Sequence, residues 1–115
     1  MGQIITNMKS ILKENNNTIC VYLISVRNGN QCYIKVGRTR RGLKKRMIEY
    51  LQYNPATRLI AYIPTSWVDN PDIEKYYHIR CNKLGFKKQQ YSDEWYKVTA
   101  EEYKRITTEG FNALG

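Results

Sequence analysis

Apolar residues recur at helical spacing near the start of the chain and then give way to runs of β-branched and aromatic residues. Between Ile4 and Leu12 the apolar side chains predict a short amphipathic helix, which the polar run Asn15–Thr18 should end. Residues 19–26 and the segment Cys32–Val36 are typical of β-strands.

A tight turn should join these two strands. Asn28 and Gly29 both tolerate positive φ, and the Asn-Gly pair is a strong hairpin signal. With these two residues at the turn, Tyr22 should lie directly opposite Lys35 on one face of the hairpin, because the turn fixes the register. Gly37 should end the second strand.

The following segments predict a helix, a third strand and a second helix. Leu43, Met47, Tyr50 and Leu51 form the apolar stripe of the first helix, which should end before Asn54-Pro55. Residues 57–63 are typical of a third strand, closed by Pro64.

Asn70-Pro71 has the pattern of a helix start, and Gly85 is a suitable stop. Glu74 and His78 lie four residues apart and should share one face of this helix. The opposite, core-facing side is expected to carry Ile73, Tyr77, Cys81 and Leu84.

Two elements are expected after this helix. Residues 94–98 predict a short strand, and Thr99 with Glu102 predicts a capping box for a last helix. The fold class is therefore α/β (α+β), with a small, mostly antiparallel three-stranded sheet flanked by helices. We expect an N-terminal helical appendage and linker over 1–18, the main domain over 19–98, and a C-terminal helix packed on it over 99–115.

The amino-acid composition indicates which kind of partner the protein binds. A chain of 115 residues has room for one compact domain. Its 19 Lys and Arg against 10 Asp and Glu give a formal charge of +9, which should attract polyanions. The longest apolar run, Leu59–Ile63, is too short to cross a bilayer, so no membrane partner is expected. Three widely spaced cysteines and the lack of a secretory signal favour a reduced, cytoplasmic setting, in a bacterium or a phage-infected host cell.

The order of these elements resembles the GIY-YIG endonuclease superfamily. The two short motifs appear as Cys20-Val21-Tyr22 and Lys35-Val36-Gly37, and the stretch from Gly37 to Arg46 is similar to that in the nuclease subunit of bacterial excision repair. Lys35 replaces the usual second tyrosine. That change, with Glu74-x-x-x-His78 and Asp93-Glu94-Trp95-Tyr96, resembles the phage and viral branch, akin to the meiotically up-regulated gene family.

The resemblance implies roles for individual residues. Tyr22 is expected to be a general base or to position water, helped by cationic neighbours that favour phenolate. Arg46 is expected to grip the scissile phosphate, Lys35 to face it, and Glu74 to bind Mg²⁺ or Mn²⁺. His78 is expected to aid proton transfer or to orient Glu74 or phosphate.

Each of these residues also has a structural interpretation. Tyr22 would then pack on a sheet face, Lys35 would be a solvated strand lysine, and Arg46 would pair with Glu49 or lie free. Glu74 would serve the helix dipole. His78 would be an ordinary packed or surface residue.

The densest basic cluster lies beside these residues and is expected to contact the nucleic-acid backbone without reading sequence. Its members are Arg38, Arg40, Arg41, Lys44 and Lys45. Trp95 and Tyr96 are candidates to stack a base, although at least one should belong to the core.

The function predicted from the resemblance is a metal-dependent DNA endonuclease or nickase. RNA is an alternative substrate, and a protein partner or homo-oligomer would be needed for high sequence specificity. The competing hypothesis is a catalytically inactive nucleic-acid-binding or protein-interaction module of the same fold, acting in phage–host conflict.

Overall fold

The computed structural model describes residues 2–89 and 94–115. Within them, a six-stranded antiparallel sheet has the strand order β1-β4-β2-β3-β6-β5. The strands are β1 (Ile4–Ile5), β2 (Cys20–Asn28), β3 (Gln31–Thr39), β4 (Arg58–Pro64), β5 (Lys87–Lys88) and β6 (Trp95–Val98). The helices are α1 (Met8–Glu14), α2 (Leu43–Tyr53), α3 (Asn70–Lys83) and α4 (Ala100–Glu109), followed by a 3₁₀ helix at Gly110–Leu114. The α+β class is confirmed, but the sheet is larger than the predicted three strands.

The N-terminal apolar residues are divided between a strand and a helix. Ile4 and Ile5 are not helical as predicted but pair with Tyr62 and Ala61 of β4. The helix α1 begins only at Met8, where the Asn7 side chain accepts a hydrogen bond from the Ser10 amide at 3.0 Å. The helical spacing therefore predicted α1 correctly, but the predicted helix began too close to the N-terminus.

The hairpin forms with a different register from the predicted one. Asn28 pairs with Gln31, so Gly29 and Asn30 occupy the turn. Gly29 has a φ of 59°, and Asn15 is the sole non-glycine residue with positive φ in the described part of the chain. Positive φ at the first turn position alone is the pattern of a type II′ turn, in which glycine takes that position.

This turn shifts the pairing by two residues. Tyr22 lies opposite Gly37, and Lys35 lies opposite Ile24. The prediction that Tyr22 and Lys35 are direct cross-strand neighbours is therefore wrong. Because side chains alternate with a period of two, the shift leaves both residues on the predicted common face.

Two hydrophobic clusters cover the two faces of the sheet. On one face, Tyr22 and Ile24 pack against Ile11 of α1 and against Leu43 and Met47 of α2. The opposite face is covered by α3, α4 and the 3₁₀ helix, and its cluster includes Leu23, Val36, Cys81, Ile106 and Phe111. The helices α2 and α3 thus lie on opposite sides of the central strands.

The ends of the remaining helices and strands agree with the sequence patterns at some positions and differ at others. The helix α2 ends at Tyr53, and the Thr99–Glu102 capping box is present. Gly85 has the positive φ of 78° expected after a helix. Leu84, predicted to be a core residue, is 41% exposed, and β3 continues past Gly37 to Thr39. No helix in the described ranges has the length and apolarity needed to span a membrane.

Candidate active site

The site lies at the part of β3 that extends beyond its pairing with β6. β6 pairs with β3 only from Cys32 to Lys35, so the remaining part of β3 has a free edge on that side among the residues that the structure describes. At such an edge, side chains from the two faces of a sheet can meet. Here α2 approaches from one face and α3 from the other.

A polar cleft of about 220 Å³ occupies this position. Its walls come from β2, β3, α2, α3 and the residue that precedes β6. The lining residues are Tyr22, Lys35, Arg38, Arg46, Tyr50, Glu74 and Glu94. Five residues assigned to the site from the sequence therefore line one cleft: Tyr22, Lys35, Arg46 and Glu74, and Arg38 from the basic cluster.

Tyr22 is held by packing and by a second tyrosine. It is 2% exposed, and its hydroxyl forms a hydrogen bond of 2.8 Å with the hydroxyl of Tyr50. Its ring lies over Gly37, where an added Cβ would overlap the Tyr22 ring and hydroxyl. Glycine at this position of the second motif therefore makes room for the tyrosine of the first.

The electrostatic surroundings of Tyr22 differ from the expected ones. Burial raises the pKa of its phenol, Tyr50 raises it further, and Arg46 opposes these effects without overcoming them. Arg46 thus favours phenolate as expected of a cationic neighbour, but burial and Tyr50 outweigh it, so the phenol stays protonated in the protein alone.

Lys35 is enclosed by Glu94 and Tyr50. Its Nζ lies 3.1 Å from Oε2 of Glu94 and 5.0 Å from the centroid of the Tyr50 ring. Burial alone would lower the pKa of the Lys35 ammonium, but Tyr50 and Glu94 raise it above its ordinary value. Lys35 is thus a firmly protonated cation in the cleft, not a solvated strand lysine.

Glu74 comes from the second turn of α3 and is mostly buried. Its Oε1 lies 3.7 Å from Nε of Arg38, and its side chain is 18% exposed. Burial and the nearby Glu94 raise the pKa of the Glu74 carboxyl, while Arg38 and Lys35 lower it by less. Two carboxylates therefore share the cleft under mutual repulsion.

Arg46 enters the cleft from α2. Glu49, its predicted alternative partner, pairs instead with Arg41 at 3.3 Å. The Nε of Arg46 is buried without a hydrogen-bond acceptor. An unsatisfied buried donor costs about 1–3 kcal/mol, and an anionic oxygen in the cleft could remove this cost after a small adjustment of the side chain.

His78 does not line the cleft, although it shares a helix face with Glu74. Its Nδ1 lies 3.0 Å from the hydroxyl of the buried Tyr96. Burial lowers the pKa of the His78 ring, and opposing effects of Glu94 and of a hydrogen bond with the Val36 backbone are smaller. These contacts place His78 beside Val36 of β3 and next to Tyr96 of β6.

The basic cluster divides into residues with different neighbours. Arg38 lines the cleft, Arg41 is paired with Glu49, and Arg40 stacks on Trp67 with its Cζ 4.5 Å from the ring centroid. Lys44 is half-buried and Lys45 is exposed on α2. The members of the cluster therefore differ in what they contact, and Arg38 is the member that lines the cleft.

Two lining residues were not assigned to the site from the sequence. Tyr50 was predicted to be part of the apolar stripe of α2, yet it lies one helical turn after Arg46 and points into the same cleft. The sequence patterns place Glu94 in a predicted strand and in the segment Asp93–Tyr96 but give it no role in the site; Asp93 itself lies outside the described residues. Of the two aromatic residues in that segment, Tyr96 is 1% exposed, and Trp95 packs edge-on against Tyr50.

The donor set of the cleft fits a hard divalent cation. The described residues contain no cluster of three or more acidic, cysteine or histidine ligands. However, Glu74 and Glu94 offer carboxylate oxygens in one polar cleft, and Mg²⁺ typically uses one or two carboxylates with waters and substrate oxygens. A cation here would also offset the burial and the repulsion from Glu94 that together raise the pKa of Glu74.

Comparison with known proteins gives a family assignment. The family model of the T5orf172 domain matches residues 19–109, which include every lining residue of the cleft. No curated protein and no solved structure matches the chain significantly. Since the matched region covers most of the chain, this protein belongs to the T5orf172 family, a family of nuclease-like domains from phage-associated proteins.

Proposed function

We propose that this chain is a GIY-YIG-type endonuclease or nickase that hydrolyses DNA phosphodiester bonds with Mg²⁺ or Mn²⁺. One observation carries the proposal: Tyr22, Lys35, Arg46 and Glu74 come from four separate elements and line a single polar cleft. Membership of a nuclease-like family supports the same activity class.

The cations of the cleft suit a phosphodiester. Lys35, Arg38 and Arg46 outnumber the two carboxylates, so the cleft retains positive charge. The guanidinium of Arg46 can present a planar pair of donors to two phosphate oxygens, including its unpartnered Nε. Lys35 contributes a compact charge that stabilises the additional negative charge of the transition state.

Tyr22 is proposed to orient the attacking water through its hydroxyl. Its raised pKa argues against a standing phenolate, whereas a neutral phenol can both donate and accept a hydrogen bond. Tyr50 fixes the position of that hydroxyl at 2.8 Å. Such an oriented group avoids the entropic cost of positioning water at the moment of reaction.

A divalent cation would be held by Glu74, with Glu94 as a second carboxylate. When bound, it would supply charge stabilisation for the phosphate and lower the pKa of a coordinated water. The protein's own residues hold the DNA backbone and the water in place around it.

The activity is tested by incubating the purified chain with supercoiled plasmid. We expect nicking with Mg²⁺ or Mn²⁺ and none with EDTA. Glu74→Gln should reduce nicking to background, and Tyr22→Phe should reduce it about 10²-fold, because phenylalanine keeps the ring but cannot orient the attacking water. Glu101→Gln is the matched control, since Glu101 is exposed on α4 and should tolerate the change.

Two results would contradict the proposal. One is wild-type nicking by a folded Glu74→Gln protein, which would remove Glu74 from the metal site. The other is the absence of cleavage by the wild-type chain on plasmid, duplex and single-stranded DNA with either metal.

A binding module without catalysis is the second candidate. The observation that favours it is the burial of Tyr22 together with its raised pKa, because a buried phenol is a weak base. This module would bind DNA or RNA through the same cations without cutting it. DNA binding that persists without nicking in the same plasmid assay would identify it.

A further inference from the structure

An arginine and a tryptophan form an exposed stack beside the cleft. Trp67 lies in the loop between β4 and α3 and is 56% exposed. The guanidinium of Arg40 lies over its ring at 4.5 Å, and Nη2 of Arg40 donates to the Trp67 carbonyl at 3.2 Å. One ring face is thus covered by a cation, while much of the indole remains open to solvent.

The loop that carries Trp67 is braced on both sides. The Thr65 amide donates to the Ile19 carbonyl at 3.0 Å, and the Asp69 amide donates to Oγ of Ser66 at 3.0 Å. Asn70, which is fully buried, donates to Oγ1 of Thr65 at 2.9 Å. A ligand of Trp67 would therefore meet a preorganised ring and would not have to order the loop.

The stack is connected directly to the cleft wall. Arg40 follows Arg38 by two residues, and Arg38 lines the cleft beside Glu74. Two residues of chain span at most about 7 Å, so the backbone that carries Arg40 lies next to the residue that lines the cleft. A DNA strand that places its phosphate at Arg38 and Arg46 can bring an adjacent base to Trp67.

We propose that the Arg40–Trp67 stack binds an unpaired nucleobase next to the phosphate held in the cleft. This selects DNA that is single-stranded or carries an extruded base, because the faces of paired bases are covered by their neighbours in the duplex. The inference rests on the proposed function for the phosphate position. The positive charge of Arg40 and of the whole chain favours nucleic acid over an apolar protein segment as the occupant.

The test compares two oligonucleotides that differ in one unpaired base. A perfectly paired duplex and the same duplex with a single-base bulge are titrated in EDTA, so that binding is measured without cleavage. In a Trp95→Phe background, Trp67 is the sole tryptophan, since the chain contains two. We expect the bulged duplex to quench Trp67 fluorescence and the paired duplex to leave it nearly unchanged.

Affinity measurements complete the test, and they use proteins that retain Trp95. Trp67→Ala should weaken binding of the bulged duplex about 5- to 150-fold, the equivalent of about 1–3 kcal/mol of base stacking, with little effect on the paired duplex. Tyr53→Ala is the matched control because Tyr53 is another exposed aromatic residue, at 92%. It should leave both affinities unchanged.

The outcomes separate this proposal from the nuclease proposal. Equal losses on both duplexes, or an unchanged affinity of Trp67→Ala for the bulge, would overturn the stacking site even if plasmid nicking proceeds. Selective loss on the bulged duplex would support it even if no cleavage is found. Fluorescence that does not respond to either oligonucleotide would also overturn it.

Discussion

Glu74 is a carboxylate in a position that disfavours its charge. Burial and Glu94 raise its pKa above the ordinary value of 4.5, and the nearby Arg38 and Lys35 compensate only in part. For an acid whose pKa is higher in the folded than in the unfolded state, the folded protein binds more protons between the two values. Stability is therefore lost as pH rises through that window.

Because the charge of Glu74 lowers stability above this pH window, removing that charge should stabilise the protein. At pH 7 the Glu74→Gln protein should melt at a higher temperature than the wild type, because a neutral amide replaces a buried charge. The difference should disappear below pH 4, where Glu74 is protonated. Thermal unfolding followed at both pH values tests this, and a lower melting temperature for Glu74→Gln at pH 7 would contradict it.

Glu101→Gln again provides the control for the melting experiment. Glu101 lies in the first turn of α4, where a negative charge is favourable to the helix dipole. Its replacement should not raise the melting temperature at pH 7. The comparison separates the effect of a crowded carboxylate from that of removing any negative charge from a basic protein.

At the residue level, the sequence was informative about identity and less so about geometry. Tyr22, Lys35, Arg46 and Glu74 were all singled out and all line the cleft. The two-residue error in register did not change the face of Tyr22 or Lys35. Their partners were not predictable, because the ion pair of Lys35 with Glu94 depends on where β6 begins.

The placement of α3 depends on one buried amide. Asn70 begins the helix, is fully buried, and donates through Nδ2 to the Cys20 carbonyl at 3.1 Å as well as to Thr65. These bonds tie the start of α3 to the end of β2 that precedes Tyr22. The position of Glu74 relative to Tyr22 follows from this link.

Replacing Asn70 should therefore loosen the element that carries Glu74. We expect Asn70→Ala to destabilise the protein by about 1–3 kcal/mol, because the buried Cys20 carbonyl and Thr65 hydroxyl lose a donor. Urea unfolding measures this loss. Asn82→Ala, at an exposed position on the same helix, should cost much less, and equal losses for both variants would show that Asn70 does not anchor α3.

At the element level, long periodic segments were predicted well and short ones poorly. The sequence located α2, α3, β4 and α4 with errors of a few residues at their ends. It could not predict the two-residue strands β1 and β5, since two residues carry no periodicity. Tyr50 was missed as a cleft residue for a related reason: its spacing in α2 is compatible with both core and site.

The cleft itself is a property of the sheet as a whole. It lies where, among the described residues, β6 stops pairing at Lys35 while β3 continues to Thr39. Strand lengths relative to one another depend on tertiary pairing, which no local pattern specifies. The sequence could therefore name five cleft residues but not the strand edge at which the two faces of the sheet meet.

The net charge of +9 gives the last prediction, which concerns binding by the whole molecule. If phosphate contacts dominate, log Kd for duplex DNA should change linearly with log salt concentration, by about 0.9 per phosphate neutralised. Lys44 and Lys45 directly precede the cleft residue Arg46 on α2. Their joint replacement by Gln should reduce the slope by up to about two units and weaken all sequences alike.

The matched control removes the same charge elsewhere. Lys97 on β6 and Lys104 on α4 are both exposed, and neither lines the cleft. The Lys97→Gln/Lys104→Gln protein has the same net charge as the Lys44→Gln/Lys45→Gln protein, so a difference in slope reports the location of the DNA and not the total charge. Equal slopes would place the DNA away from α2. A salt-insensitive complex, or no binding at low ionic strength, would favour a protein partner over nucleic acid, because only phosphate neutralisation releases counterions in this proportion.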